Sequence, residues 1–425
     1  MPPWLLPCNP RLTQFLKKLP LLGALIPRPP EIIPHTTPFE EETATAYSVD
    51  KYFPVEIDAV LDDRYRVLGK LGYGTNATVW LCMDLPTKTT KKSYVVVKVG
   101  TRNSGQALRE AVVFNYIRGL RTSHPGAQAI RTMLHSFRLS YRDGMYFALV
   151  HPPLAMSLRD LRLAYPDFKV PVRMMQFVLR HILLGLSFLH EHGIVHTDIQ
   201  EGNIMFEFAN PDVLRDFTRR ERLQPSARKL LPSSTIYASR SLHWEFNFST
   251  PILSDFGLAR YGQVTYTDAR VQPLPYQAPE VLLGIPWARK VDVWNVGCFV
   301  FHMLFKQLLF DGDDDAVPRT WDNRRYLDGV AGTLGPPPRE MLAIARANVR
   351  PEGEEGLEKT FSEEAYWVGR STQLVSLRRR VQMAGLEEPE LLVEFLEMCV
   401  EWRPEERMDM AQLLDSRWMT AAAHS

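Results

Sequence analysis

Cysteine is scarce in this chain. Its four thiols, at positions 8, 82, 298 and 399 of 425 residues, show no CxxC spacing, so neither a disulfide framework nor a structural zinc site is encoded. A reducing compartment follows. Charge of one sign is also missing: 50 Lys and Arg stand against 49 Asp and Glu, which gives no electrostatic reason to expect nucleic acid or an anionic membrane as a direct partner. The most apolar stretch, Val293 to Phe310, is broken by Asn295, His302, Lys306 and Gln307, whereas a span needs about 20 apolar residues. It reads as a buried helix. No internal repeat is seen.

Acidic residues are absent before Glu31, and residues 1–38 hold ten of the 32 prolines together with Arg11, Lys17, Lys18 and Arg28. An acid-poor start resembles an organelle presequence, but proline breaks the amphipathic helix such signals use. Residues 1–50 are therefore expected to form a disordered leader. The expected compartment is cytoplasm or nucleus, with mitochondrial targeting as the alternative.

The remainder is ordinary for a globular protein, 45% hydrophobic and 23% charged, with length enough for two lobes and extensions. Short β-branched and aromatic runs at Tyr65–Leu71, Ala77–Met83 and Tyr94–Val99 predict antiparallel strands. Beyond Pro171 the pattern turns helical: Met174, Phe177, Val178, Ile182, Leu186 and Leu189 form a stripe that Gly193 stops. The segments 210–250 and 350–372 are polar and poorly periodic, and read as loops or inserts.

Chemistry enters at Gly72-Tyr73-Gly74-Thr75-Asn76-Ala77, where bare backbone lets a phosphate approach. A strand follows this turn, not a helix, which favours a hairpin flap over a dinucleotide fold. On the third strand Lys98 shares a face with Val96 and Tyr94 and needs a partner. Glu110, on a helical stripe with Val113, Phe114 and Ile117, is the natural one. Further on, His196-Thr197-Asp198-Ile199-Gln200-Glu201-Gly202-Asn203 is a polar loop between apolar anchors, and Ile252-Leu253-Ser254-Asp255-Phe256-Gly257 delivers a second aspartate from a strand end. Asn203 and Asp255 are oxygen ligands suited to magnesium with substrate phosphates. Asp198 is left to accept a hydroxyl proton.

In this order, with Ala278-Pro279-Glu280, Asp292-Val293-Trp294 and Arg407 behind them, these motifs resemble the eukaryotic protein kinases over about residues 63–418. The resemblance implies an α+β, two-lobed kinase fold: a small antiparallel sheet with one helix, residues 51–154, and a larger helical lobe, residues 155–420, with ATP in the cleft. It implies that Gly72 and Gly74 cover the ATP phosphates, that Lys98 holds them while paired to Glu110, that Asn203 and Asp255 hold Mg2+, and that Asp198 is the base. Pro152 and Leu154 would meet adenine, Val79 and Met205 would cover it, and Leu71 and Val96 join the nucleotide-contacting set. Within the family, Thr197 in the catalytic loop and the approach Glu41-Glu42-Thr43 then Tyr52-Phe53-Pro54 look like the SR-protein kinases and their fungal relatives. So does the 51-residue spacer between Asn203 and Asp255. That subfamily phosphorylates serine in arginine/serine-rich proteins, and a monomer is expected.

Two departures matter. Gln200 stands where most kinases place a lysine, and it cannot offset developing phosphoryl charge. With Ala77 at a usual glycine position, it opens the alternative of an inactive kinase-like scaffold. A small-molecule phosphotransferase is disfavoured by Ala278-Pro279-Glu280, Asp292 and Arg407, which build a peptide-facing shelf. Thr197 removes the arginine that makes many kinases depend on loop phosphorylation, so Thr265, Tyr266 and Thr267 read as ordinary solvated hydroxyls. His190, His192 and His196 straddle a helix end and should diverge instead of binding metal, His196 ordering the metal turn. Asp311, Asp313, Asp314 and Asp315, and Glu352, Glu354, Glu355 and Glu358, read as solvated acidic loops, with docking of arginine-rich substrates as the alternative that the resemblance implies. The basic spacer at about 207–251, with Arg215, Arg219, Arg220, Arg222, Arg228 and Lys229, reads as an exposed flexible insert. Glu280 and Arg407 should form a buried structural pair.

Overall fold

Alternation of β-branched residues produces the strands where expected. In the computed structural model the described residues are 28–44, 47–86, 92–165, 167, 169–208, 210–242, 249–268, 271–310, 323–348, 375–383, 385–386 and 389–421. The two acidic clusters and the segment 350–372 lie outside them. The chain divides into two compact units: residues up to Ala111 with Thr132–Ala155 and Phe208–Phe248, and Val112–Arg131 with Met156–Glu207 and the residues from Ser249 onward.

The first unit is built on a six-stranded antiparallel sheet: β1 (Val60–Leu61), β2 (Tyr65–Gly74), β3 (Ala77–Asp84), β4 (Ser93–Gly100), β5 (His135–Tyr141) and β6 (Gly144–His151), in the order β1-β2-β3-β4-β6-β5. Val95, Val97 and Val99 of β4 pack with Val67, Trp80, Cys82, Ala148 and Val150 on one face. Strand alternation turns Val96 and Lys98 to the other. Helix α1 (Gly105–Gly119) follows β4 and carries Glu110.

The spacer departs from the expected flexible insert. It forms a helix (Asp212–Leu223) and a hairpin of β9 (Arg228–Leu230) with β10 (Thr235–Tyr237). Leu214, Phe217 and Leu242 join Leu68, Leu81 and Met83 in one buried cluster. Gly69 permits this: a Cβ there would meet the Phe217 ring at 2.8 Å. The spacer thus belongs to the sheet unit, although its flanks belong to the helical one.

The described part of the leader is ordered too, contrary to the expectation of disorder. Ile33 N donates to Arg228 O and Arg228 N to Glu31 O, both at 2.9 Å. Three acidic residues then meet buried cations. Lys70 pairs with Glu41 and with Glu40 at 3.3 Å, and Lys229 pairs with Glu42 at 2.7 Å. Lys70 and Lys229 are buried, so the basic spacer residue at 229 is a structural ion-pair member.

The second unit is helical. Its helix α2 (Leu158–Ala164) is capped by Ser157 and Asp160, and α3 (Val172–Glu191) is its central element. Gly193 ends α3 with a left-handed backbone. The buried face differs from the expected stripe: Phe177 is exposed and Met174 half-buried, while Met175, Val178, Leu179, Ile182, Leu183 and Leu186 are fully buried. Four of the six stripe residues, Val178, Ile182, Leu186 and Leu189, are buried as expected, and the face is wider than the stripe because α3 meets neighbours on several sides. Length and hydropathy alone would let α3 cross a membrane, yet these residues are spent in the core. With the spacer helix counted as α4, the later helices are α5 (Pro279–Leu282), α6 (Lys290–Phe305), α7 (Asn323–Leu334), α8 (Arg339–Ala347), α9 (Leu377–Met383), α10 (Pro389–Glu397), α11 (Met410–Leu414) and α12 (Arg417–Ala421). Helix α6 is the expected buried helix, with Trp294, Val296 and Phe299 fully buried.

Candidate active site

In the sheet unit, Lys98 Nζ meets Glu110 Oε2 at 2.8 Å, the pairing that their strand and helix faces demand. Glu110 is 2% exposed, so its charge requires the lysine. In the β3–β4 ladder Val79 stands opposite Lys98, and Leu81 opposite Val96. Gly72 and Gly74 lie in the β2–β3 hairpin, where Gly74 faces Ala77 across the turn. A Cβ at either glycine would meet nothing within 4 Å. Packing therefore does not require glycine there, and the open space beside the backbone suits close approach of a ligand. The tip is anchored by Tyr52, whose hydroxyl donates to Gly74 O at 3.1 Å and Thr75 O at 3.2 Å. Leu71, Pro152 and Leu154 are half-buried. Among the described residues the Leu154 amide and the Pro152 carbonyl have no hydrogen-bond partner.

In the helical unit the loop after β7 (Ile194–Val195) is fastened by one carboxylate. Asp292, from the first turn of α6 and fully buried, accepts from His196 N and Thr197 N at 2.8 Å each and contacts His190 Nε2 at 2.9 Å. These charge-assisted bonds hold Thr197 at φ 66°, a conformation that a β-branched residue adopts only when its surroundings impose it. Thr197 Oγ1 donates to Leu258 O at 2.8 Å. Asn295 of α6 adds a second clasp, donating to Ile199 O at 2.8 Å and accepting from Ile199 N at 3.2 Å.

So fastened, the loop presents Asp198. Its Oδ1 accepts from Gln200 Nε2 and its Oδ2 from Asn203 Nδ2, both at 2.7 Å. Because the Asn203 amide nitrogen is committed, its Oδ1 is the atom left to ligate a cation. Burial pushes the Asp198 carboxyl above the usual aspartate range; His196 opposes the rise, the nearby Asp255 charge adds to it, and the Asn203 and Gln200 bonds oppose it. Asp255 sits just past β11 (Pro251–Leu253), which pairs with β8 (Ile204–Phe206) and so sets Met205 opposite Ile252. Its own φ is 64°. Ser254 N donates to Asn203 O at 2.8 Å, which ties the segments that carry Asn203 and Asp255 together. An asparagine oxygen and a carboxylate fit magnesium, a hard cation that keeps few protein ligands. Among the described residues no group of three His, Cys, Asp or Glu forms a rival metal site.

The histidines do diverge. His190 goes to Asp292, His192 to Phe188 O at 2.8 Å, and His196 Nε2 contacts Ser254 O at 3.3 Å while its Nδ1 accepts from Asp198 N at 3.2 Å. Glu280 and Arg407 form a two-pronged buried pair at 2.7 and 2.8 Å. Tyr266 overturns the expectation of a solvated hydroxyl: it is buried against Trp287 and exchanges two backbone bonds with it at 2.8 Å. Thr265 and Thr267 are exposed. Sequence reasoning passed over the pair Arg162 with Glu201, Nη2 to Oε1 2.8 Å; the acidic residue inside the catalytic loop was its only signal. In the sequence Asn295 stands out only as an interruption of an apolar run.

The Protein kinase domain family matches residues 65–239 and 247–419. The chain belongs to the protein kinase family. It is 31% identical over 422 residues to a serine/threonine protein kinase of Aspergillus fumigatus, covering 97% of this chain and 98% of that one. It is 26% identical to the serine/threonine-protein kinase SRPK of Physarum polycephalum, over 89% of this chain and 91% of that one. A crystal structure of a kinase domain superposes with TM-score 0.63 at 20% identity, over 87% of this chain and 98% of that one. This kinase is a serine/threonine enzyme of SR-protein-kinase-like type, and its family uses ATP and typically magnesium. The scaffold alternative gains no support. Gln200 donates to the Asp198 carboxylate and leaves it in place.

Proposed function

We propose that this kinase transfers the terminal phosphoryl group of ATP to serine in arginine/serine-rich or otherwise basic proteins, with Asp198 as the catalytic base. The observation that carries the reading is the pair of amide donors, Gln200 and Asn203, aiming the two oxygens of Asp198. The serine oxygen attacks the γ-phosphorus, the bond to the β–γ bridging oxygen breaks, ADP leaves, and the serine proton passes to the Asp198 carboxylate. Burial favours that last transfer, since it makes the carboxylate a stronger base than a solvated one. Asn203 Oδ1 and the Asp255 carboxylate would hold magnesium, which would supply neutralisation of phosphate charge. Lys98, oriented by Glu110, holds the phosphates; Gly72 and Gly74 cover them. Leu71, Val79, Val96 and Met205 contact the nucleotide, and Pro152 O and Leu154 N meet the adenine edge.

Support for the substrate class comes from relatives named as SRPK and SRSF protein kinases. The enzyme works as a monomer in cytoplasm or nucleus. Incubating purified chain with radiolabelled ATP, magnesium and an Arg-Ser repeat peptide tests the reading: label should enter serine. Label entering an aminoglycoside and no peptide would overturn it.

A further inference from the structure

The spacer helix α4 presents two faces. Leu214, Phe217 and Glu221 are buried against the sheet unit, while Arg215, Thr218, Arg219 and Arg222, at i, i+3, i+4 and i+7, border a cavity of about 450 Å³. Ligand pockets span roughly 300–1,000 Å³. The floor is aliphatic, made by Leu68 of β2, Met83 and Leu85 at the end of β3, and Leu223, with Tyr94 beside them. Arg66 and Lys92 complete a rim of five cations with Arg215, Arg219 and Arg222. Asp212 and Asp216 neutralise Arg215 and Arg219. Among the described residues Arg66, Lys92 and Arg222 have no carboxylate partner, and all three are exposed. The cavity shares no residue with the nucleotide-contacting set.

We propose that this cavity docks an acidic segment of a partner protein, seating an apolar side chain on the floor while flanking carboxylates meet the arginine rim. Arginine forks match carboxylates in two-pronged fashion, and three unneutralised cations define the charge of the guest. The floor argues for a peptide over nucleic acid or bare phosphate: it is mainly aliphatic, whereas single-stranded nucleic acid needs aromatic platforms and a phosphate gains nothing from hydrocarbon.

The test is fluorescence anisotropy on the full chain with a labelled peptide that alternates glutamate with leucine and phenylalanine. Arg219→Glu with Arg222→Glu should weaken binding about tenfold or more, and binding should fall as salt rises. Thr218→Trp, which fills the cavity without changing its charge, should weaken it as well. Unchanged thermal unfolding of both variants identifies the loss as local. No binding to the native chain would overturn the proposal. So would equal binding of an oligoglutamate lacking apolar residues, equal binding by the variants, or tighter binding of an RNA oligonucleotide or inorganic phosphate at the same residues.

Discussion

Two carboxylate networks hold this kinase together, and they differ in kind. Asp292 spends its charge on backbone amides of the catalytic loop, and both of its oxygens are occupied by donors at 2.8 Å. Glu40, Glu41 and Glu42 instead meet the full charges of Lys70 and Lys229. A carboxylate on backbone amides fixes the path of one short segment and places Asp198. Ion pairs between leader, sheet and spacer fasten distant segments while leaving catalytic atoms untouched. One network sets reaction geometry and the other sets which parts of the chain fold together.

The sharpest way to break the first network is Asp292→Ala. It strands two buried amides and releases Thr197 from its left-handed backbone. We expect loss of phosphoryl transfer by several powers of ten, with unfolding free energy lower by about 3–5 kcal/mol. Near-native activity would refute the clasp. Next is Glu41→Ala in the second network, which leaves Lys70 buried with Glu40 at 3.3 Å as its remaining carboxylate. Stability should drop by about 2–4 kcal/mol in denaturant titrations, with kcat nearly unchanged in the folded fraction. Combining it with Lys70→Met should recover much of the loss, and a strictly additive double variant would show that the pair is not coupled.

A smaller effect is expected from Gln200→Lys. An ammonium beside Asp198 lowers its raised carboxyl and offsets phosphoryl charge, so kcat should rise several-fold. The sign for pH follows: the base acts ionised, so activity falls as pH drops through its pKa, and burial moves that fall upward from the ordinary aspartate range. In the lysine variant the acid limb of kcat should shift to lower pH; an unmoved limb would detach it from Asp198. The smallest effect belongs to Thr265→Ala with Thr267→Ala. Because Tyr266 on Trp287 and Arg260 on Asp268 already fix the segment, activity should be unchanged in a peptide assay, and a large loss would reveal control by phosphate.

The networks also differ in how far the sequence discloses them. The periods of strand and helix suffice to turn Lys98 and Glu110 toward one another, and Asp198 and Asn203 are five residues apart in a single loop. Local chemistry makes such features visible. Glu42 and Lys229, however, are 187 positions apart, and Lys70 bonds Tyr237 O across 167. Neither residue looks unlike a surface charge in its own neighbourhood. The spacer helix is hidden for a related reason: Leu214 and Phe217 share it with four arginines, so its short apolar face is seen only once Gly69 is found beneath it. Tyr266 lay in a polar stretch, and its burial depends on Trp287, which no local pattern announces.

In the proposed reaction Asp198, aimed by Gln200 and Asn203, accepts the proton of a serine hydroxyl. The direct measurement is the magnesium-dependent rate of labelled phosphate transfer to an Arg-Ser peptide by the native chain and by Asp198→Asn, which preserves shape and removes the base. We expect transfer to serine that falls by roughly 10²–10⁴-fold in the variant while its thermal unfolding stays the same. Equal rates in the two proteins would contradict the claim.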